Sequence, residues 1–409
     1  MGRRTFLKGV AGATALTGLA AHGLTTRLSF AAEPYDGDVI VVLSLKGGFD
    51  GLNAIVPTSD PRYMTLRPNT GIRQSALIGL DEHFGLHPAL RPLKQFWDAG
   101  TFGVVHAVGM PNPTRSHFKA MAEMERAAPG TSIRNGWLDR TLGIRDAGTC
   151  YRGVQMNATV PAASLMGRTP ELAMLSVDSF KLSGISNADD RARWRRALAG
   201  MNADAPVPMA APARTALNAL TTATQLQREG YVPRAAASYP STELGKAMRD
   251  VARLIKSSAG LQVACVDFGD WDMHAGMGTV DEGWLHDHFT ELARAIAAFA
   301  IDLGPAMNRV TLLTLTEFGR RVKENGSGGT DHGHGQAVLL LGGGVVGGKV
   351  HGQWPGLAEA ALVDGDLKGT TDYRSMLAEA LEKRCGAGSL TEVFPSLPAE
   401  RVGAFKSRN

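Results

Sequence analysis

Residues 309–344 read RVTLLTLTEFGRRVKENGSGGTDHGHGQAVLLLGGG. A β-branched, apolar run ends in an acid, Glu317. A glycine-rich loop follows, and then Asp331-His332-Gly333-His334. A second apolar run, Ala337 to Leu341, closes on three glycines. Apolar runs of this length bounded by glycine predict strands buried on both faces, as in a parallel sheet flanked by helices. In open α/β sheets, ligands bind beyond the carboxyl ends of the strands. An acid at one strand end, with two histidines in the next loop, supplies carboxylate and imidazole where a metal-assisted site would form.

Three further stretches repeat the pattern. Asp38-VIVVLSL-Lys46 predicts a strand that runs into Gly47-Gly48-Phe49-Asp50. Asp50 emerges at its carboxyl end, where Asp also suits a helix N-cap or a turn. Thr101 to Val108 predicts a second strand, leading to Arg115-Ser116-His117 and a helix over about 117–126. Ser116 thus opens a helix, where unpaired N–H groups and the dipole favour an anion, although an ordinary N-cap serine would look the same. Leu261 to Phe268 predicts a third strand, ending in Gly269-Asp270-Trp271-Asp272-Met273-His274. Asp270, Asp272 and His274 share one parity on an extended chain, so they can reach one divalent ion. Asp50, Ser116, Asp272 with His274, Glu317 and His332 with His334 therefore fall on one edge of a parallel sheet. Two metals could share these ligands, one lowering a nucleophile's pKa and the other polarising an ester oxygen.

The rest of the chain bounds the reading. Gly2-Arg3-Arg4-Thr5-Phe6-Leu7-Lys8 precedes a mild apolar stretch, Gly9 to Ala21, too short and too rich in Gly and Ala to span a bilayer. Ser29, Ala31 and Ala32 offer a cleavage site before Glu33, so residues 1–32 are expected to be a twin-arginine signal and the mature protein periplasmic or otherwise extracytoplasmic. The formal charge of +4 comes from 43 basic and 39 acidic residues, and Arg3, Arg4, Lys8 and Arg27 lie in that leader. Without those four the chain is balanced, which argues against nucleic acid and against a charged membrane surface as partners. The three cysteines, Cys150, Cys265 and Cys385, are spaced for no metal motif. Residues 33–409 are read as one α/β domain, with a less regular inserted segment over about 137–240. Within that segment the basic run Arg191 to Arg196 reads as a solvated helical face. Gly85 to Trp97 predicts an amphipathic helix with His87 at its start. Glu282 to Leu303 predicts another, carrying His286 and His288 on diverging faces.

The order of these groups is similar to that of the alkaline phosphatase-like/sulfatase superfamily. More closely, LSLKGGFDGLN, TRSHF, WDMH, TEFGRR and TDHGHG resemble the exported, twin-arginine-signal family known as domain of unknown function 1501, which is assigned to that superfamily. The resemblance spans roughly Val39 to Pro355. It implies a three-layer α/β/α sandwich with a largely parallel central sheet, and one or two divalent metal ions, zinc first, with manganese or calcium as alternatives. It also implies that Asp50 and Glu317 hold one metal beside the nucleophile Ser116, while Asp272, His274 and His332 hold a second. The chain departs from the superfamily at Glu317-Phe318, where Asp-His is usual. His117 or His334 could replace the missing imidazole, and the usual Asp-x-x-x-His spacing is met by Asp270 and His274. The expected activity is hydrolysis of anionic phosphate or sulfate esters. Attack would come from Ser116 or a metal-bound hydroxide, with Arg115 or Arg320 stabilising the transition state. The alternative is a non-catalytic periplasmic binding or assembly protein that keeps the fold and engages an exported protein partner. The expected partners otherwise are the ester substrate and the twin-arginine translocation machinery.

Overall fold

The computed structural model describes residues 35–408, apart from 146, 147, 170 and 258. The twin-arginine stretch and its cleavage site lie outside the described residues. The core is a nine-stranded sheet. Its strands are β1 (Val39–Leu45), β2 (Phe102–Gly109), β3 (Gly153–Met156), β4 (Leu172–Met174), β5 (Val263–Phe268), β6 (Val310–Leu315), β7 (Gln336–Gly342), β8 (Val350–His351) and β9 (Thr371–Asp372). The order is β8-β2-β7-β6-β1-β5-β3-β4, with β9 also pairing with β2. β1 sits at the centre, parallel to both neighbours, with Leu43 opposite Val266 of β5 and Thr314 of β6.

Alternation along β1 produces the layers. Val39, Val41, Leu43 and Leu45 pack against Leu244 and Val251 of α5 (Glu243–Lys256) and Phe289, Leu292 and Ile296 of α6 (Trp284–Leu303). Ile40 and Val42 face the other way. There they meet Met124 of α1 (His117–Arg126), Leu138 and Leu142 of α2 (Trp137–Ile144), and Tyr373 and Leu377 of α7 (Tyr373–Cys385). Each such fully buried aliphatic side chain contributes about 1.5–3 kcal/mol. With helices on both faces of a largely parallel sheet, the α/β/α expectation holds.

One strand runs against expectation. β7 is antiparallel to both β6 and β2, with Leu340 opposite Leu313 and Gly103. The connection between β6 and β7 carries no helix, and a parallel partner needs a crossover long enough to return the chain to the opposite edge. The consequence favours the predicted site. Because β7 re-enters from the edge where β6 leaves, residues 316–335 stay at the carboxyl ends of β1, β2, β5 and β6.

The segment 137–240 adds β3 and β4 to the same sheet. Besides α2 it carries α3 (Ala188–Met201) and α4 (Val207–Glu229), and none of the α3 side chains is buried. The helix expected over 85–97 is instead a short strand, Phe84–Leu86, a 3-10 turn, Pro88–Leu93, and one α-turn, Lys94–Asp98. Pro92 has no N–H to give to a continuous α-helix there. His87 caps that turn by accepting from the Ala89 N–H. The three cysteines are free, and Cys265 is core on β5.

Candidate functional site

Four loops meet at the carboxyl edge, and glycine lets them approach. Gly47 has φ +119°, and a Cβ there would lie 2.7 Å from the Asp272 nitrogen. At Gly333, in the β6–β7 loop, a Cβ would lie 2.6 Å from the Arg320 carbonyl carbon. The loop closes on itself through Gly333 N–H to Gly319 O (2.8 Å), Gly319 N–H to His334 O (2.9 Å) and Arg321 N–H to Asp331 O (2.9 Å).

Into this junction point His117, Asp272, His274 and His332. His332 Nε2 lies 3.0 Å from His117 Nε2, 2.9 Å from His274 Nε2 and 3.0 Å from Asp272 Oδ1. His274 Nε2 is 3.0 Å from Asp272 Oδ1, and His117 Nε2 is 3.3 Å from Asp272 Oδ2. The ligand atoms of His117, Asp272 and His332 all lie within 4.8 Å of one another. His274 joins them through its contacts with His332 and Asp272.

The outer nitrogens fix the tautomers. His117 Nδ1 faces Glu317 Oε1 at 2.7 Å, His274 Nδ1 faces Asp331 Oδ1 at 2.9 Å, and His332 Nδ1 faces the Arg115 carbonyl at 2.8 Å. A carboxylate and a carbonyl only accept, so each Nδ1 carries the proton and each neutral ring turns a bare Nε2 lone pair inward. With the rings neutral, the Nε2 lone pairs of His117 and His274 both face His332 Nε2 and the Asp272 carboxylate, with no proton between the rings. A divalent cation matches that donor set. Tetrahedral bonds of about 2.0–2.1 Å would put ligand atoms about 3.3 Å apart, and the contacts above run from 2.9 to 3.3 Å.

Arg320 locks the floor. Its side chain is 1% exposed and donates to Gly48 O (2.7 Å), Thr330 O (2.9 Å), Trp271 O (2.8 Å), Gly47 O and Asp272 Oδ1 (2.7 Å). Burial works against the charge on Asp272, but the Arg320 guanidinium, donating to Oδ1 at 2.7 Å, holds its carboxyl below the usual carboxylate range. Hydrogen bonds from His274 and Asn325 keep Asp331 below the usual carboxylate range.

Other predicted site residues fall elsewhere. Asp50 is buried, caps the turn Gly51–Ala54 by accepting from Asn53 N–H, and takes Arg67 Nη1 on both oxygens at 2.8 and 2.7 Å. Glu317 does not meet Asp50: it accepts from Gly47 N–H (2.9 Å), Thr316 Oγ1 (3.1 Å) and His117. Asp270 is exposed, with left-handed φ +64°, and points into no ligand group. His334 turns its Nε2 to Asp366, 3.4 Å away, and Arg115 and Arg321 grip the same buried acid. Arg115 and Arg320 therefore both have carboxylate partners already. Ser116 occupies the N-cap of α1 without a side-chain capping bond, between the two residues that touch the cluster. Phe318 stands where a second imidazole was sought. Its ring lies 4.8 Å from that of His117 and 4.7 Å from that of His332. Asp331 and Arg67 were missed by sequence reasoning. The only signal for Asp331 was its place beside His332.

Beside Phe318 opens a cleft of about 220 Å³, lined by Met110, Pro113, Thr114, Glu317 and His334 among others. No helix among the described residues is long and apolar enough to cross a membrane.

An α/β/α protein with a histidine–carboxylate cluster at the carboxyl edge of its sheet is the class that fold and site define. The family described as "Protein of unknown function (DUF1501)" matches residues 102–381, more than half of the chain, and the chain belongs to it. The match takes in His117, Asp272, His274 and His332 but not Asp50. None of the curated proteins matches. Solved structures similar to the chain include the PsFucS1 sulfatase from Pseudoalteromonas sp. It shares 9% identity and a TM-score of 0.35, over 100% of this chain and 75% of that one. The C-terminal periplasmic domain of EcEptC from Escherichia coli gives 9% identity and a TM-score of 0.34, over 78% and 77%. The alkaline phosphatase of the Antarctic bacterium TAB5 gives 9% and 0.27, over 75% and 92%. With TM-scores this low, the fold assignment rests on the chain's own sheet order and connections.

Proposed function

We propose that this chain is an exported, metal-dependent hydrolase of anionic phosphate or sulfate esters. The observation that carries the reading is the convergence of the His117, His274 and His332 Nε2 atoms on Asp272, each ring's other nitrogen being held by an acceptor. Imidazole with one carboxylate suits zinc best among common divalent ions. When bound, the ion would supply Lewis-acid polarisation of an ester oxygen. Asp272 keeps its negative charge at all physiological pH values, and Glu317, Asp331 and the Arg115 carbonyl orient the rings. Ser116 Oγ, uncapped at the amino end of α1, is the candidate nucleophile, because the helix dipole and free N–H groups there favour an anion. Attack of Ser116 Oγ on phosphorus or sulfur forms the Oγ–P or Oγ–S bond and breaks the bond to the alcohol, which departs with the proton lost from the serine; water then cleaves the Oγ–P or Oγ–S bond, restoring the hydroxyl and releasing phosphate or sulfate. The cleft beside Phe318 would take the organic part of the ester. Export through the twin-arginine machinery rests on residues 3–8 and the small residues Ser29, Ala31 and Ala32.

A second reading, a metal-stabilised binding protein without turnover, is favoured by Phe318 and by the closure of Asp50 onto Arg67. Ser116→Ala decides between them. Under the hydrolase reading, turnover in a phosphate- and sulfate-ester screen falls by about a thousandfold or more while bound metal and thermal stability are unchanged. Absence of any turnover by metal-loaded wild-type protein would leave the binding reading.

A further inference from the structure

Besides Asp366, which Arg115 and Arg321 already grip, two carboxylates lie buried at this edge, Asp50 at 3% and Glu317 at 2% exposure. Buried acids near a cation centre are the natural ligands of a second ion. Both are already closed. Asp50 and Arg67 form a pair whose side chains are 4% and 0% exposed. Arg67 uses all three of its nitrogens: Nε donates to Val322 O (3.1 Å), Nη2 to Arg321 O (2.8 Å), and Nη1 to Asp50 and to Asn53 Oδ1 (2.8 Å). Asn53 in turn accepts from Tyr63 Oη (2.7 Å) and donates to Thr70 O (3.0 Å), which completes the network around the guanidinium. On Glu317, Oε1 takes N–H protons from Gly47 and His117, and Oε2 takes the Thr316 hydroxyl. Phe318 closes the space beside His117 and His332 with a ring that offers no ligand atom.

We infer that the chain holds a single cation, and that the Arg67 guanidinium neutralises Asp50 in place of a second one. The inference rests on reading His117, His274, His332 and Asp272 as a cation centre. A divalent ion at Asp50 would have to expel a buried arginine from five acceptor atoms, leaving its charge unpaired in the interior. Arg67 therefore acts as a fixed positive charge and as a tie. Through Arg321 O and Val322 O it anchors the stretch that follows Arg320, and so holds the loop that carries His332. A one-cation centre cannot clamp attacking and leaving oxygens together as a pair of ions does. Charge on the leaving oxygen must then be met by a proton.

The test counts ions. The full chain, stripped with chelator, is dialysed to equilibrium against Zn²⁺ and analysed by elemental mass spectrometry, beside Asp50→Asn and His332→Ala. Folding of each variant is checked by circular dichroism. The inference expects one equivalent in the wild type and one in Asp50→Asn, with Kd within about threefold, and none in His332→Ala. A Co²⁺ titration of the wild type, ending at one equivalent, gives the same answer without any variant that must fold. Two equivalents in the wild type, or loss of metal from folded Asp50→Asn, overturns the single-cation inference and leaves the metal reading standing. No equivalent in the wild type overturns the metal reading itself.

Discussion

Replacing Asp331 by alanine should weaken metal binding without touching any ligand. Asp331 Oδ1 accepts the Nδ1 proton of His274 at 2.9 Å and an Asn325 amide proton at 3.0 Å. Its side chain is 50% exposed, so its removal should shift folding stability by no more than about 0.5 kcal/mol. Asn325 stays anchored through its bond to His274 O. The loss is felt at His274. Without an acceptor at Nδ1, the proton is free to sit on Nε2 and occupy the lone pair that faces the cation. Removing such an outer partner costs about 10–100-fold in metal affinity, or about 1.4–2.7 kcal/mol. Asp331→Asn, whose amide oxygen can still accept, should fall between wild type and alanine. Competition with a chromophoric zinc chelator at fixed neutral pH measures the change. An Asp331→Ala affinity within about twofold of wild type would refute the reasoning that the outer hydrogen bond sets the tautomer.

Further outcomes follow from the same geometry. His334→Ala and Asp270→Ala should leave metal affinity unchanged, because His334 faces Asp366 and Asp270 lies outside the cluster; the same chelator competition checks both. Arg320→Met removes a buried guanidinium that donates to four carbonyls and to Asp272, and should cost about 3 kcal/mol or more, read as a lower urea midpoint. At the far end of α6, burial works against the charge on Asp302. Hydrogen bonds from Lys256, Tyr231, Arg234 N–H and Tyr239 nonetheless hold its pKa below the ordinary carboxylate value. A depressed folded pKa means the stabilisation is complete above the unfolded value and is lost as pH falls through the folded one. Asp302→Asn should therefore be less stable than wild type at neutral pH, and the gap should narrow on acidification. Thermal melts across that range measure it.

Much of this architecture was legible because its signals are local. The run Val39–Leu45 has no polar residue except Ser44, and an apolar strand without polar alternation has to be covered on both faces. The start of α1 at His117 agrees with its reading, and so does the placing of four loops at one edge. The direction of β7 was not legible, because apolar strands look alike whichever way they run, and only the helix-free connection sets their sense. Asp50 was readable as strand-end acid or cap, but its partner Arg67 is drawn in by tertiary packing, 17 residues away. Glu317 is buried, and its oxygens meet the Gly47 N–H, the Thr316 hydroxyl and His117, partners set by tertiary packing that its place at a strand end does not reveal. The same packing brings His117, read as a catalytic residue beside Ser116 and as a substitute imidazole, against His332 and Asp272.

The central claim is that a cation sits where three Nε2 atoms and Asp272 converge. Crystals of the zinc-loaded protein, measured on both sides of the zinc absorption edge, test it most directly. The account predicts one anomalous peak at about 2.0–2.1 Å from Nε2 of His117, His274 and His332, with Asp272 as the carboxylate ligand. A peak between Asp50 and Glu317, or none at the histidines in zinc-loaded crystals, would contradict it.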